Sequence, residues 1–418
     1  MKEFHNDWCS KAIEKFRLQW TLDPSTAFLN HGSFGAVPKH IRKAQQAIDD
    51  EIEADPVYFM LEQYPRLLAQ AREALAGFVN ARPEQLVFVR NATEGVNALI
   101  QSIAINPGDE IIVSNHGYNA CNEAIRHAAS RRGFTVKQWD IPWPEPSNEA
   151  LIESLLNTLG PKTKWLVLDH ITSPTALKLP IELILERVHS RGARVIIDGA
   201  HAPGMLKLSL EDLGADYYVG NLHKWTCNPR GTAFVFARKP EDHLLPCVIS
   251  HGSSASVVPK VNRFCEAFDW PGTHASSAWF VLPTTLDWFR ESAANGNEPI
   301  RLENARRAET VAKHFDKHPI AQTRLCHEQR SAMLLLELKP NRVEDVLGTP
   351  NQPSLLQRRL YNEWKIQIPV IYFAERTYLR VSIQRYVRCS DIEALDRALH
   401  QLRDDGTLQQ WPFNATAY

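Results

Sequence analysis

Helical spacing dominates the early part of the chain. From Pro38 to Asp55, and again from Leu61 to Val79, apolar residues return every three or four positions, as in LLAQAREAL, so each stretch predicts a helix with one buried face. The pattern then changes to short β-rich runs: LVFV (86–89), EIIVS (110–114), TVKQW (135–139), WLVLD (165–169) and RVIID (194–198). Segments of helical length, Glu94–Ala104, Asn119–Arg132 and Ile181–Arg191, separate them. Strand and helix in alternation predict parallel strands joined by crossover helices. Two further runs, YYVG (217–220) and TAFVFA (232–237), complete the predicted sheet.

Small and polar residues at Ala293–Pro299 (AANGNEP) mark a linker. Beyond it come a charged helical pattern, the strand AMLLLEL, the helix LLQRRLYNEW, strands around IPVIYF and YLRVSI, and a closing helix from Asp391. The expected organisation has three parts. Residues 1–28 form an N-terminal segment packing with the small domain, residues 29–292 a large α/β domain with a mostly parallel sheet between helices, and residues 293–418 a smaller α+β domain.

With 418 residues, 44% of them hydrophobic, the chain can bury a large core. Its 47 basic and 48 acidic side chains nearly cancel, which removes the broad positive field that nucleic acid or an anionic membrane would require. The start, MKEFHNDWCSKAIEKF, lacks the apolar core of a signal peptide, and runs such as MLLLEL are too short to span a bilayer. A cytoplasmic protein is expected. The seven cysteines are scattered without a CxxC pair, and neither they nor the 16 histidines predict a metal site.

In an open parallel sheet, ligands bind beyond the carboxyl ends of the strands. The residues there are polar and reactive: Ala92-Thr93-Glu94-Gly95, Asn115-His116-Gly117-Tyr118, His170-Ile171-Thr172-Ser173 and Asp198-Gly199-Ala200-His201. The most specific pattern is RVIIDGAHAPG followed by YYVGNLHKW. It places Asp198 at a strand end and Lys224 in a segment between two β runs, beside Trp225. A lysine amine can carry pyridoxal 5′-phosphate as a Schiff base and move a proton at Cα, and a carboxylate against the pyridine nitrogen keeps that ring an electron sink. Alone, Asp198 reads equally as a strand-end cap and Lys224 as a surface lysine; together with His201 and His223 they point to pyridoxal phosphate.

These segments resemble fold-type I, class V aminotransferase-like enzymes over about residues 30–382, closest to the branch of isopenicillin N epimerase and the C–S lyases. The resemblance implies a pyridoxal phosphate-dependent transferase-like fold. It implies phosphate contacts from Thr93 and Glu94 at a helix start and from His223, a ring over the cofactor from Tyr118 with His116 as competitor, and cofactor contacts from Ser173 and His201. It also implies that Gly272 and Thr273 reach the phosphate of a neighbouring subunit, hence a homodimer with its active site at the interface. Arg380, in YLRVSI, matches the arginine that grips the substrate carboxylate, and Asn30 and His31 in NHGSFG match a substrate-side loop.

Reaction type follows from what surrounds Cα. Desulfurases of this family carry a cysteine shortly before the carboxylate arginine, and the stretch 363–379 contains none. The expectation is therefore β-elimination from a cysteine-derived amino acid, its S-conjugate or its sulfoxide, with Lys224 as the base and pyruvate and ammonia as products. Epimerisation and transamination are the alternatives, and desulfuration would need Cys389 or another distant thiol.

Overall fold

The computed structural model describes residues 11–144, 147–240, 244–253, 263–291, 299–349 and 352–410. Most of the linker at 293–299, the boundary at 292/293 and most of the loop 250–262, expected to shape the substrate pocket, lie outside them.

The large domain is a seven-stranded sheet between helices. Its strands are β1 (Leu86–Val89), β2 (Glu110–Ser114), β3 (Thr135–Trp139), β4 (Thr163–Asp169), β5 (Arg194–Asp198), β6 (Tyr217–Asn221) and β7 (Ala233–Ala237), in spatial order β1-β7-β6-β5-β4-β2-β3. Helices α1 (Lys39–Ala54), α2 (Tyr64–Val79), α3 (Ala92–Ser102), α4 (Asn119–Arg132), α5 (Asn148–Thr158) and α6 (Ile181–His189) precede or connect them. All neighbouring strands run parallel except β7, which is antiparallel to β1 and β6. The segment 222–232 between β6 and β7 has no helix to carry the chain back across the sheet, so the strand returns in the opposite direction. That segment holds Lys224.

Strands β1, β6 and β7 are buried along their whole length, which is why they read as unbroken apolar runs. Each fully buried branched or aromatic side chain there contributes about 1.5–3 kcal/mol. Helix α3 lies close on this sheet because of Gly95, where a Cβ would sit 2.7 Å from Val219 and 3.0 Å from Val235. The expected helix 61–79 begins later, at Tyr64, after a π-helical turn over Phe59–Gln63.

The small domain has an antiparallel sheet of β8 (Ala321–Thr323), β9 (Met333–Leu338), β10 (Val370–Phe373) and β11 (Arg376–Ser382), in order β10-β11-β9-β8. Helices α7 (Ile300–Phe315), α8 (Leu355–Trp364) and α9 (Cys389–Asp404) pack with it. Ala27–Phe28 pairs in parallel with Ile366–Gln367, and the buried Arg17 donates to the carbonyls of Thr26 and Asp23. Trp20, Ala27 and Leu29 join the small-domain core. Among the described residues, no helix is long and apolar enough to cross a membrane.

Candidate active site

The carboxyl ends of β4, β5 and β6 converge on one buried group of side chains. Asp198 ends β5 and is 3% exposed. Its Oδ1 accepts the Ala200 N–H at 2.9 Å and its Oδ2 accepts the Cys121 thiol at 3.3 Å. Burial pushes its pKa up, while these donors and Lys224 oppose the shift.

Lys224 lies on the 222–232 segment, which is closed by a set of buried hydrogen bonds. Asn228 donates to Thr232 Oγ1 (3.0 Å) and to the Ala278 carbonyl (2.8 Å), and accepts Thr285 Oγ1 at 2.6 Å. The Lys224 carbonyl accepts the Cys227 N–H at 3.0 Å and His31 Nε2–H at 2.9 Å. Cys227 closes this turn in the left-handed region, at φ 65°, which is costly for a residue with a Cβ and marks a backbone held by its surroundings. Gly35 (φ 70°) allows the Asn30–Gly35 segment to lie against it, because a Cβ there would meet the His223 carbonyl at 2.2 Å.

At the other end of the lysine, Nζ lies 3.2 Å from His201 Nε2. The Trp225 indole N–H, which can only donate, points at His201 Nδ1 at 3.4 Å. That assigns the His201 proton to Nε2, which then donates to a neutral amine. Burial and the Arg380 charge act in the same direction, bringing the Lys224 pKa down to about 8. The arrangement favours a nucleophilic free amine.

The start of α3 carries groups that could hold a phosphate. Asn221 at the end of β6 accepts the Ala92 N–H at 2.8 Å, and Asn91 caps the helix by accepting the Glu94 N–H at 2.9 Å. Among the described residues no hydrogen bond engages the Thr93 N–H, so the positive end of the helix is open at Thr93. Glu94, expected with Thr93 at the phosphate, is placed otherwise. Its carboxylate takes the Arg90 backbone N–H and guanidinium, which suits a group that would repel a phosphate. His223 donates from Nδ1 to the Thr232 carbonyl at 3.0 Å, and burial holds it near pKa 4, so gripping a phosphate would require the dianion to draw a proton onto Nε2. Gly272 and Thr273 lie on an open turn, with nothing within 4 Å of a Gly272 Cβ, and do not join the Lys224 group.

Tyr118, at the N-cap of α4, is 45% exposed and within electrostatic reach of Asp198 and Arg380. The competitor His116 is fully buried. It bonds Thr175 Oγ1 at 2.7 Å and packs against Phe373 and Trp143, with centroids 4.4 and 5.0 Å away. Of the two rings, Tyr118 is the exposed one.

Arg380, 4% exposed, reaches across from β11. It donates to the Ser173 carbonyl, to Ser173 Oγ at 3.1 Å and to Ser33 Oγ at 2.9 Å, and Ser33 in turn donates to Asn30 Oδ1 at 2.6 Å. Its Nε is buried without a partner. Ser173, expected at the cofactor, hydrogen-bonds this arginine through both its carbonyl and its hydroxyl. His31 was expected at the substrate, yet it is buried, with Nε2 on the Lys224 carbonyl and Nδ1 accepting the Tyr386 hydroxyl at 2.7 Å. With both nitrogens occupied, it positions the lysine loop.

Two participants were missed in the sequence. Cys121 touches Asp198, with no signal beyond its place one turn into α4. Asp169 ends WLVLD at the same strand-end position that singled out Asp198, and is buried beside it. One spacing was also overlooked, because His314 and His318 are four apart. They meet Asp396, with His318 Nε2 at 2.8 Å. His318 Nδ1, however, accepts the Ile320 and Ala321 N–H groups at 3.3 and 3.1 Å, which puts the ring proton on Nε2 and makes it a donor to Asp396 rather than a metal ligand.

The site fits pyridoxal phosphate. Asp198 is a buried carboxylate whose hydrogen-bond partners are an amide and a thiol, suited to a protonated ring nitrogen. Lys224 offers an amine, and the open first turn of α3 could receive an anion.

The aminotransferase class-V family model matches residues 37–395. The isopenicillin N epimerase of Amycolatopsis lactamdurans is 31% identical over 401 residues, covering 92% of this chain and 97% of that protein. A putative L-cysteine desulfhydrase of Oryza sativa subsp. japonica is 27% identical, over 92% of this chain and 84% of its own length. Among solved structures, the cystine C–S lyase C-DES in complex with cysteine persulfide superposes with a TM-score of 0.78 at 21% identity, covering 90% of this chain and 97% of that one.

Proposed function

This chain belongs to the aminotransferase class-V family and is a pyridoxal phosphate-dependent enzyme, and from that premise we propose that it cleaves a C–S bond by β-elimination. The substrate is a cysteine-derived amino acid, its S-conjugate or its sulfoxide, and the products are pyruvate and ammonia with release of the sulfur fragment. When bound, the cofactor supplies an electron sink for the substrate's Cα.

Each step at the protein falls to a named side chain. Arg380 exchanges its two serine-hydroxyl contacts for the substrate α-carboxylate, whose two oxygens match the planar guanidinium. Lys224, displaced by the substrate amine, takes the Cα proton, as its pKa of about 8 permits near neutrality. The Cβ–S electrons leave with sulfur, and water hydrolyses the released enamine to pyruvate and ammonia. Asp198 keeps a proton at the ring nitrogen, and the Nε2–H of His201 is placed to donate beside the lysine.

The observation that carries this reading is that the Lys224 amine, its pKa lowered to about 8, supplies a base while Cys121, Cys227 and Cys389 are all buried. Cys121 is buried on Asp198, Cys227 is buried on the lysine loop itself beside His31, and Cys389 belongs to the small-domain core. Epimerisation, the activity named for the Amycolatopsis relative, is the second reading and needs another group to return the proton on the opposite face. A homodimer with Gly272 and Thr273 completing the neighbour's phosphate site is part of the same proposal.

Purified enzyme incubated with cysteine, S-conjugates and their sulfoxides should release pyruvate and ammonia in equal amounts. Inverted amino acid without keto acid would replace the lyase by the epimerase, and accumulation of a pyridoxamine form would indicate transamination.

A further inference from the structure

Asp169 ends β4 and Asp198 ends β5, and the two are register partners on adjacent parallel strands, so their side chains leave the same face of the sheet side by side. Both are buried. Asp198 has the Ala200 N–H and the Cys121 thiol, while the Tyr118 backbone N–H at the start of α4 lies towards Asp169. The titratable groups facing the pair are Cys121 on α4, Tyr118 at its start, Tyr218 on β6 and Lys224 on the 222–232 segment, of which only the lysine can bring positive charge. Once Lys224 and Asp198 are committed to the cofactor, no cation remains for Asp169.

We propose that Asp169 is a positioning residue that works as an uncharged carboxylic acid: one oxygen takes the Tyr118 N–H and fixes the start of α4 at the cofactor face, while its retained proton keeps a second negative charge away from Asp198. Burial and the Asp198 charge both push the Asp169 pKa well up, in keeping with this arrangement. Tyr118 has no side-chain cap of its own for α4, so the acid on β4 holds the helix start from outside. The inference rests on the cofactor assignment and not on which bond the enzyme breaks.

The test compares Asp169→Asn with Asp169→Ala, reading pyridoxal phosphate affinity and the near-ultraviolet circular dichroism of the bound cofactor. Asn keeps a neutral acceptor for the Tyr118 N–H and should stay within about twofold of the unaltered protein, whereas Ala should weaken affinity by about tenfold and change the dichroism. Asn behaving like Ala, or Ala like the unaltered protein, would overturn the proposal. Should the Ala variant fail to fold, the infrared difference spectrum between the unaltered holoenzyme and Asp169→Asn decides it. A protonated carboxyl band sensitive to deuterium supports the neutral acid, and carboxylate bands alone refute it. None of these readouts depends on the product, so failure of the C–S lyase reading would leave them unchanged.

Discussion

The side of the pocket that meets the cofactor is made from neighbouring strand ends of one sheet, whereas the side that meets the substrate is assembled from segments far apart in the chain. Asp169, Asp198 and the Lys224 loop follow β4, β5 and β6, three adjacent strands. Arg380 is 347 residues from Ser33 and 207 from Ser173, and its contacts exist only because the small domain packs against the large one. The cofactor side is thus as rigid as the sheet. The substrate side is as well defined as a domain contact, with a guanidinium resting on groups that a carboxylate can replace.

If that division holds, substitutions should separate cleanly. Lys224→Ala should lower turnover by about four orders of magnitude, because both the anchor and the Cα base are lost. Steady-state pyruvate formation measures this. Arg380→Lys should cost about a hundredfold in kcat/KM, chiefly through KM, while leaving cofactor affinity near its original value, since a lysine cannot reproduce the paired contact. A large loss of cofactor affinity in that variant would break the division.

One coupling between the sides is expected. Arg380 is a main contributor, after burial, to the lowered Lys224 pKa of about 8, and the amine binds the cofactor aldehyde only when neutral. Cofactor uptake by the cofactor-free protein should therefore speed up as pH rises through about 8, and Arg380→Met should move that midpoint to higher pH. An unmoved midpoint would show that the two sides do not communicate electrostatically.

The smallest effect on the pocket should come from Asp396, remote from it in the small domain. Hydrogen bonds from His314 and His318 hold this carboxyl well below the usual range. Because its folded pKa is depressed, the stability it adds is present above the unfolded value near pH 4 and is lost as pH falls toward the folded one. Asp396→Asn should cost about 1 kcal/mol, screened by solvent at this partly open position, and should flatten the acid limb of thermal stability without altering cofactor affinity.

The same contrast explains what could be read from the sequence. Strand ends are visible as the last residue of an apolar run, which is how Asp198 and, through the spacing to HKW, Lys224 could be found. Asp169 carried the same signal, but a single strand-end acid has no partner in the sequence; only the register that sets it beside Asp198 gives it a meaning. Arg380 stood out as a charge inside a β run. Its partners did not, because Ser33 and Ser173 are brought to it by domain packing. Glu94 and His31 show the opposite error: each lies in a motif near the site, yet Arg90 and Tyr386 claim their side chains for local structure. The antiparallel β7 was also hidden, since nothing in TAFVFA records its direction.

The claim on which the rest depends is that Lys224 carries the cofactor. Borohydride reduction of the loaded enzyme, followed by proteolysis and peptide mass analysis, should place the pyridoxyl group on the peptide containing His223-Lys224-Trp225. Its appearance on another lysine, or its absence from every peptide of a protein with bound cofactor, would contradict the account.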